Sequence, residues 1–289
     1  MLAAVALTVA LTFDDIPAVA LPTTEGCNAL HWNQKLLATL KRHHAPALGL
    51  VNTGKTCDLE AVLNAWLDAG HDLGNHTFSH RDLNTMPVAD FEQDIIRGES
   101  PLREVLAAHG KTLRYFRYPM LHSGTTVQTR DTIANFLRRR HYTDAVVTLD
   151  NSDWVFAHAY AGALDRKDAA FAGRVAKAYV PYMESTLTFL EKRTREVVGR
   201  PIAHILLLHM NALNADMLDD LLRLFERRGY RFITVDEALR DPAYALPDGY
   251  AGPNGISWIH RWGVAKGMPI ILEPDEPAWL HHPSTSSSP

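Results

Sequence analysis

Short apolar runs alternate along this chain with longer stretches in which apolar residues recur at helical spacing. Runs rich in β-branched and aliphatic residues at Val5–Asp14, Ala47–Asn52, Asp72–Asn75, Arg114–Tyr118, Ala145–Asp150, Ile205–His209 and Arg231–Val235 predict seven strands. Between them the spacing predicts helices over Asn33–His43, Leu59–Asp68, Val88–His109, Val127–Arg140, Lys167–Val198 and Asp216–Arg228. Leu36, Leu37 and Leu40 share a face of the first of these, and Ile133, Phe136 and Leu137 a face of the fourth. Asp58 precedes a helix, and Gly70, Gly110 and Gly229 stand where helices stop. Apolar strands alternating with amphipathic helices specify an α/β fold with buried parallel strands. The expectation is an irregular seven-stranded (β/α) barrel, one unit short of the usual eight. A chain of 289 residues suits one such barrel over residues 1–280, with a polar flexible tail at 281–289. A Pro- and Gly-rich linker at Asp241–Gly255 leads into Ile256–Trp262, whose Trp258, Arg261 and Trp262 either cap a barrel end or stack on a bound ligand.

Composition narrows the class. With 46% apolar and 21% charged residues the chain is globular, and disorder and collagen are excluded. Twenty-nine basic against 33 acidic residues, with no basic run longer than Arg138–Arg140, argue against a nucleic-acid partner. No stretch is long and apolar enough for a transmembrane helix. Met1–Leu11 superficially resembles a signal-peptide core, yet it lacks a charged leader and a small-residue cleavage site, so it reads as a strand. A native precursor is expected to carry a signal sequence and to be periplasmic or secreted. Cys27 and Cys57, outside any zinc spacing, are either free thiols or one disulfide, and the latter would favour an oxidising compartment.

Fifteen histidines direct attention to metal and proton-transfer chemistry. In such barrels the carboxyl ends of strands carry the site. The first strand ends in Asp14-Asp15, adjacent carboxylates that are costly to keep ionised without a cation. The third ends in Asn75-His76-Thr77-Phe78-Ser79-His80, where two histidines at i, i+4 are expected on one helical face. One carboxylate with two imidazoles makes a facial donor set for zinc or another divalent first-row ion. The fourth strand brings Arg117 towards the acidic mouth, where it would pair with the aspartate that does not bind metal. The fifth runs into Asp150-Asn151-Ser152-Asp153-Trp154, by itself an acidic turn with an aromatic anchor. The sixth closes four aliphatic residues on His209, placed to act as a general acid if a carboxylate lies beside it.

Taken in order, Thr12-Phe13-Asp14-Asp15, His76-Thr-Phe-Ser-His80, Arg117-Tyr-Pro119, Asp153-Trp154 and Leu207-Leu-His209 resemble the five motifs of the polysaccharide deacetylases, carbohydrate esterase family 4. Phe116–Gly124, Asp150–Phe156 and Tyr250–Gly267 look like a bacterial subgroup of that family. The resemblance implies that Asp15, His76 and His80 bind the metal, most readily Zn2+, with Co2+, Ni2+ or Mn2+ as substitutes. It implies Asp14 as general base, held by Arg117, and His209 as general acid, oriented by Asp153. The backbone N–H of Met120 would stabilise the oxyanion, Trp154 and Leu207 would wall the acetyl methyl, and Thr77 would steady the histidine loop. Two departures stand out. Ile16-Pro17 replaces the usual Gly-Pro of the first motif, and Met120 replaces the usual Tyr of the third. Neither removes a ligand or a proton-transfer group, so retained catalysis with an unusual substrate preference is expected.

His31, His43, His44, His71, His109, His141 and His204 read as surface or structural residues. His122 is open as a substrate contact, and Asn151, Tyr182, Glu184 and Asn211 sit in or near loops without a mechanism of their own. The leading expectation is a metal-dependent hydrolase that removes acetyl from N- or O-acetylated carbohydrate of chitin, peptidoglycan or xylan type. The alternatives are hydrolysis of a small amide or non-sugar ester on the same barrel, and a non-catalytic carbohydrate-binding protein.

Overall fold

The computed structural model describes residues 7–281. Val5 and Ala6 of the first predicted strand, and the predicted tail beyond His281, lie outside the described residues. The elements are β1 (Leu7–Ile16), α1 (Ala29–Arg42), β2 (Ala47–Val51), α2 (Leu59–Asp68), β3 (Asp72–Asn75), α3 (Val88–Ala108), β4 (Tyr115–Phe116) and α4 (Val127–Arg139). They continue with β5 (Thr143–Asp144), α5 (Asp153–Asp165), α6 (Ala169–Val198), β6 (Ala203–His209), α7 (Ala212–Arg227), β7 (Tyr230–Ile233), α8 (Val235–Ala238) and α9 (Trp258–Ala265).

Every strand pairing is parallel, in the order β5-β4-β3-β2-β1-β6. β6 flanks β1 from Thr8 to Asp14, while the opposite edge of β1 is shared by β7 at its start and β2 at its end. A bridge between Leu149 and Leu206 carries the chain beyond β5 back to β6, so the sheet curls round on itself. This is the expected irregular seven-stranded barrel. β1 and β2 are buried along almost their whole length, because helices cover one face and the barrel interior the other. Leu36, Leu37 and Leu40 of α1 and Ile133, Phe136 and Leu137 of α4 are buried as the spacing requires. Each such side chain contributes about 1.5–3 kcal/mol through burial.

Two segments differ from the sequence expectation. The fifth strand, expected over Ala145–Asp150, is confined to Thr143–Asp144 because side chains take over its ladder. Arg117 Nε donates to the carbonyl of Ala145, and the Ile205 N–H donates to Thr148 Oγ1 instead of a strand carbonyl. Residues 153–165, of which only the start was read, as an acidic turn, form the helix α5. Its run of Val155, Phe156, Ala157, Tyr160, Ala161 and Ala163 is buried on several sides, so it shows no single apolar stripe for periodicity to detect.

Cys27 and Cys57 form a disulfide across 30 residues, with Cα atoms 5.5 Å apart. It ties the loop before α1 to the loop that carries residues 52–58 past the barrel mouth. Chain-entropy arguments for a loop of this length give about 3–4 kcal/mol of stabilisation. The Cys27→Ser, Cys57→Ser double variant should therefore unfold at clearly lower denaturant in equilibrium titrations than the oxidised protein. Coincident midpoints for the variant and the oxidised and reduced wild type would count against the bridge.

Candidate active site

Consecutive residues of a strand normally project to opposite faces, so Asp14 and Asp15 should not share a site. The backbone resolves this. β1 and β2 stay in register to the Phe13–Gly49 pair, and the register shifts before Ile16 pairs with Val51. Within that irregularity Asp15 adopts φ 66°, a left-handed conformation unusual for a residue with a side chain. Both carboxylates consequently line one cavity. The departure at Ile16-Pro17 does not disturb this, since Ile16 remains in β1, fully buried, and accepts from the Asn52 N–H at 2.9 Å.

The two histidines reach the site by a route other than the one expected. Residues 76–80 are not helical, and Thr77 and His80 have positive φ. The loop is held by α3: Phe78 N–H donates to the Asp94 carbonyl, and the Ser79 amide and hydroxyl donate to the Asp94 carboxylate. Gly98 permits this docking, because a Cβ there would lie 2.7 Å from Asn75 Oδ1. Thr77 Oγ1 accepts from the His80 N–H at 3.0 Å, which is the steadying contact expected of it. His76 Nδ1 lies 2.9 Å from the Arg117 carbonyl, an acceptor only, so Nδ1 carries the proton and Nε2 keeps its lone pair for the site. Burial pushes both imidazoles down to about 4, so they are neutral at pH 7. One ligand atom from each of Asp15, His76 and His80 lies within 4.8 Å of the others. Two neutral imidazoles with free nitrogens and one carboxylate fit a divalent first-row cation.

Arg117, fully buried, donates from Nη1 to Asp14 Oδ1 at 2.6 Å and to Thr12 Oγ1 at 2.7 Å. Burial raises the Asp14 pKa above the ordinary carboxylate value, with Arg117 opposing it. For Asp15 burial also acts upward, but Lys55 and the His80, His209 and His76 imidazoles together outweigh it and hold the carboxyl well below the usual range. Neighbouring residues on one strand thus acquire different proton affinities.

His209 ends β6 and meets Asp153 at the start of α5: Nδ1 and Asp153 Oδ1 are 2.7 Å apart. Asp153 Oδ2 accepts from the His209 N–H and from Asn214 Nδ2, and Asn151 Oδ1 accepts the Asp153 N–H. Burial disfavours the charged imidazole, but the Asp153 carboxylate prevails and pushes His209 up to about 9.

The cavity they share has a volume of about 780 Å3. Met120, Trp154 and Leu207 line it; Met120 and Trp154 are about half exposed and Leu207 buried. Met120 occupies the Pro119–Leu121 turn with φ 55°, and its carbonyl sits so close to Gly255 that no Cβ fits there. Asn151 and Tyr182 also line the cavity, as does His122, which bonds Asp82 at 2.8 Å. Glu184 instead pairs with Arg228 on the helix surface, and Asn211 is the buried cap of α7. Trp258, Arg261 and Trp262 are buried under the Leu121 turn, which settles their role as a cap.

Asp150 of the acidic turn also lines the cavity, as do Lys55, His158, Leu272 and Glu273, which were not assigned to the site from sequence. Burial, aided by Glu273, pushes Asp150 up to about 7. Leu272 and Glu273 come from a segment without regular structure, so no periodicity marks them. Lys55 had a signal: residues 49–56 read Gly-x-x-x-x-Gly-Lys-Thr, the spacing of a phosphate-binding loop. Gly49, however, lies inside β2, paired with Phe13 and Leu73, and Lys55 points to Asp15, so no such loop forms.

A family model described as polysaccharide deacetylase matches residues 5–136. Over that stretch, somewhat less than half of its length, the chain is similar to the polysaccharide deacetylases. It is 26% identical over 103 residues to a chitooligosaccharide deacetylase of Sinorhizobium fredii and 31% identical over 115 residues to a chitin deacetylase of Pestalotiopsis sp. Those matches cover 36% and 39% of this chain but only 46% and 34% of the two relatives. The fold resembles that of a CE4 family pseudoenzyme from Bacillus anthracis, with a TM-score of 0.52 and 18% identity over 81% of this chain and 66% of that one. The Asp153–His209 pair stabilises the fold fully below the unfolded imidazole value of about 6.5, and this contribution is lost as pH rises through about 9. An NMR titration should place the His209 midpoint near 9, and Asp153→Asn should lower it by at least about one unit. A wild-type midpoint near 6.5 would contradict the pairing.

Proposed function

We propose that the protein is a metal-dependent hydrolase that removes acetyl groups from N- or O-acetylated carbohydrate. The observation that carries this reading is the convergence on one cavity of a buried Asp–Arg pair, an Asp–His pair and an Asp–His–His donor set. A divalent ion bound by Asp15, His76 and His80 would lower the pKa of a water molecule and polarise the acyl carbonyl. Zinc suits the donor set best, with cobalt, nickel and manganese as substitutes.

The chain's own residues supply the rest. Asp14 accepts the proton of the attacking water, its carboxylate fixed by Arg117 and its basicity raised by burial. The Met120 backbone N–H donates to the oxygen of the acyl group, where negative charge develops. His209, kept protonated by Asp153, gives its proton to the departing amine or alkoxide. Trp154 and Leu207 wall off the acetyl methyl from water. Proton donation by His209 ceases as pH rises through about 9, which sets the expected alkaline limb of kcat/KM. The disulfide supports a location in the periplasm or outside the cell, where such bonds persist.

Acetate release from chitooligosaccharide, peptidoglycan fragments and acetylated xylan tests the proposal. Release should vanish on chelation, return with zinc, and fall by about 10²–10⁴-fold in Asp14→Asn. A zinc-loaded protein that releases no acetate from any of the three would overturn sugar deacetylation. Saccharide binding without release would instead favour a carbohydrate-binding protein.

A further inference from the structure

One cationic side chain at the site has no part in the steps above. Lys55 reaches the cavity from the loop between β2 and α2, and its Nζ donates to Asp15 Oδ1 at 2.8 Å and to the Ala18 carbonyl at 3.2 Å. That same Oδ1 lies 3.7 Å from His80 Nε2. The ammonium therefore occupies the carboxylate oxygen directed at the donor set.

The backbone beneath Lys55 is fixed. Gly54 N–H donates to the Phe78 carbonyl of the histidine loop at 2.8 Å, and a Cβ at Gly54 would meet that oxygen at 2.4 Å. Cys57, two residues on, is bonded to Cys27. The side chain is less confined, being one-third exposed, so the ammonium can leave Asp15 for water without moving the loop.

We propose that Lys55 is a built-in competitor for the divalent cation at Asp15, His76 and His80. This rests on the reading of those three residues as a metal site. An ammonium and a dication repel each other strongly at such separations in a partly desolvated site, and here both draw on one oxygen. Loading an ion requires the ammonium to withdraw, which lowers affinity and makes the ion exchangeable. In the stripped protein the same ammonium keeps a buried carboxylate paired.

The test compares wild type with Lys55→Met, which keeps the stem and removes the charge, and Lys55→Arg, which keeps the charge. Zinc affinity is read by competition with a chromophoric chelator, and thermal unfolding is followed for stripped and loaded forms. Lys55→Met should bind zinc at least about tenfold more tightly than wild type, with Lys55→Arg within about threefold of it. Stripped Lys55→Met should unfold at lower temperature than stripped wild type, and zinc should raise its midpoint by more. Equal or weaker zinc binding by a folded Lys55→Met would overturn the proposal while leaving the metal site standing. Failure of both wild type and Lys55→Met to bind zinc would overturn the metal reading itself.

Discussion

Two carboxylates held side by side at the buried end of a strand are the constraint around which this site is organised. Asp14 and Asp15 are each less than a tenth exposed, and neither could stay ionised there without compensation. The structure answers with unlike partners. Arg117 reaches Asp14 from β4 and is itself locked by the Thr12 hydroxyl and the Ala145 carbonyl, while Lys55 reaches Asp15 from the loop after β2. One carboxylate is therefore left basic and directional, and the other strongly acidic and suited to a cation. The separation of roles follows from environment, because both residues have the same chemistry and adjacent positions in the chain.

The barrel serves this arrangement in specific ways. The register shift in β1 turns two consecutive side chains into one cavity, and the same shift leaves Ile16 in contact with β2 beneath them. The guanidinium that holds Asp14 also takes a carbonyl that a longer β5 would use, so the irregularity of the sheet and the fixing of the Asp14 carboxylate share a cause. α3 closes on the histidine loop through Asp94 and Gly98, and α5 begins with the aspartate that charges His209.

Much of this was legible in the sequence, for physical reasons that differ by element. The amphipathic helices α1, α2 and α4 and the strands β2, β3 and β6 announce themselves by period and composition, as do the polar residues at strand ends. α5 does not, since a helix buried on several sides has no stripe, and β5 does not, since side chains replace part of its hydrogen bonding. The pair His76 and His80 was found through its i, i+4 spacing, yet that spacing works here through a loop with positive φ at Thr77 and His80. Spacing identified the residues and gave the wrong geometry for them. Lys55 and Glu273 meet the site only through tertiary packing, and the disulfide, left open by spacing alone, follows from the approach of two loops.

On the proposed reading Asp15, His76 and His80 hold a metal ion while Asp14 stays unliganded. Anomalous diffraction at the zinc edge from zinc-loaded crystals tests this most directly. One strong peak is expected about 2.0–2.2 Å from the two imidazole nitrogens and an Asp15 oxygen. Asp14 should remain on Arg117. A peak elsewhere, no peak, or an ion bound through Asp14 in place of Asp15 would contradict it.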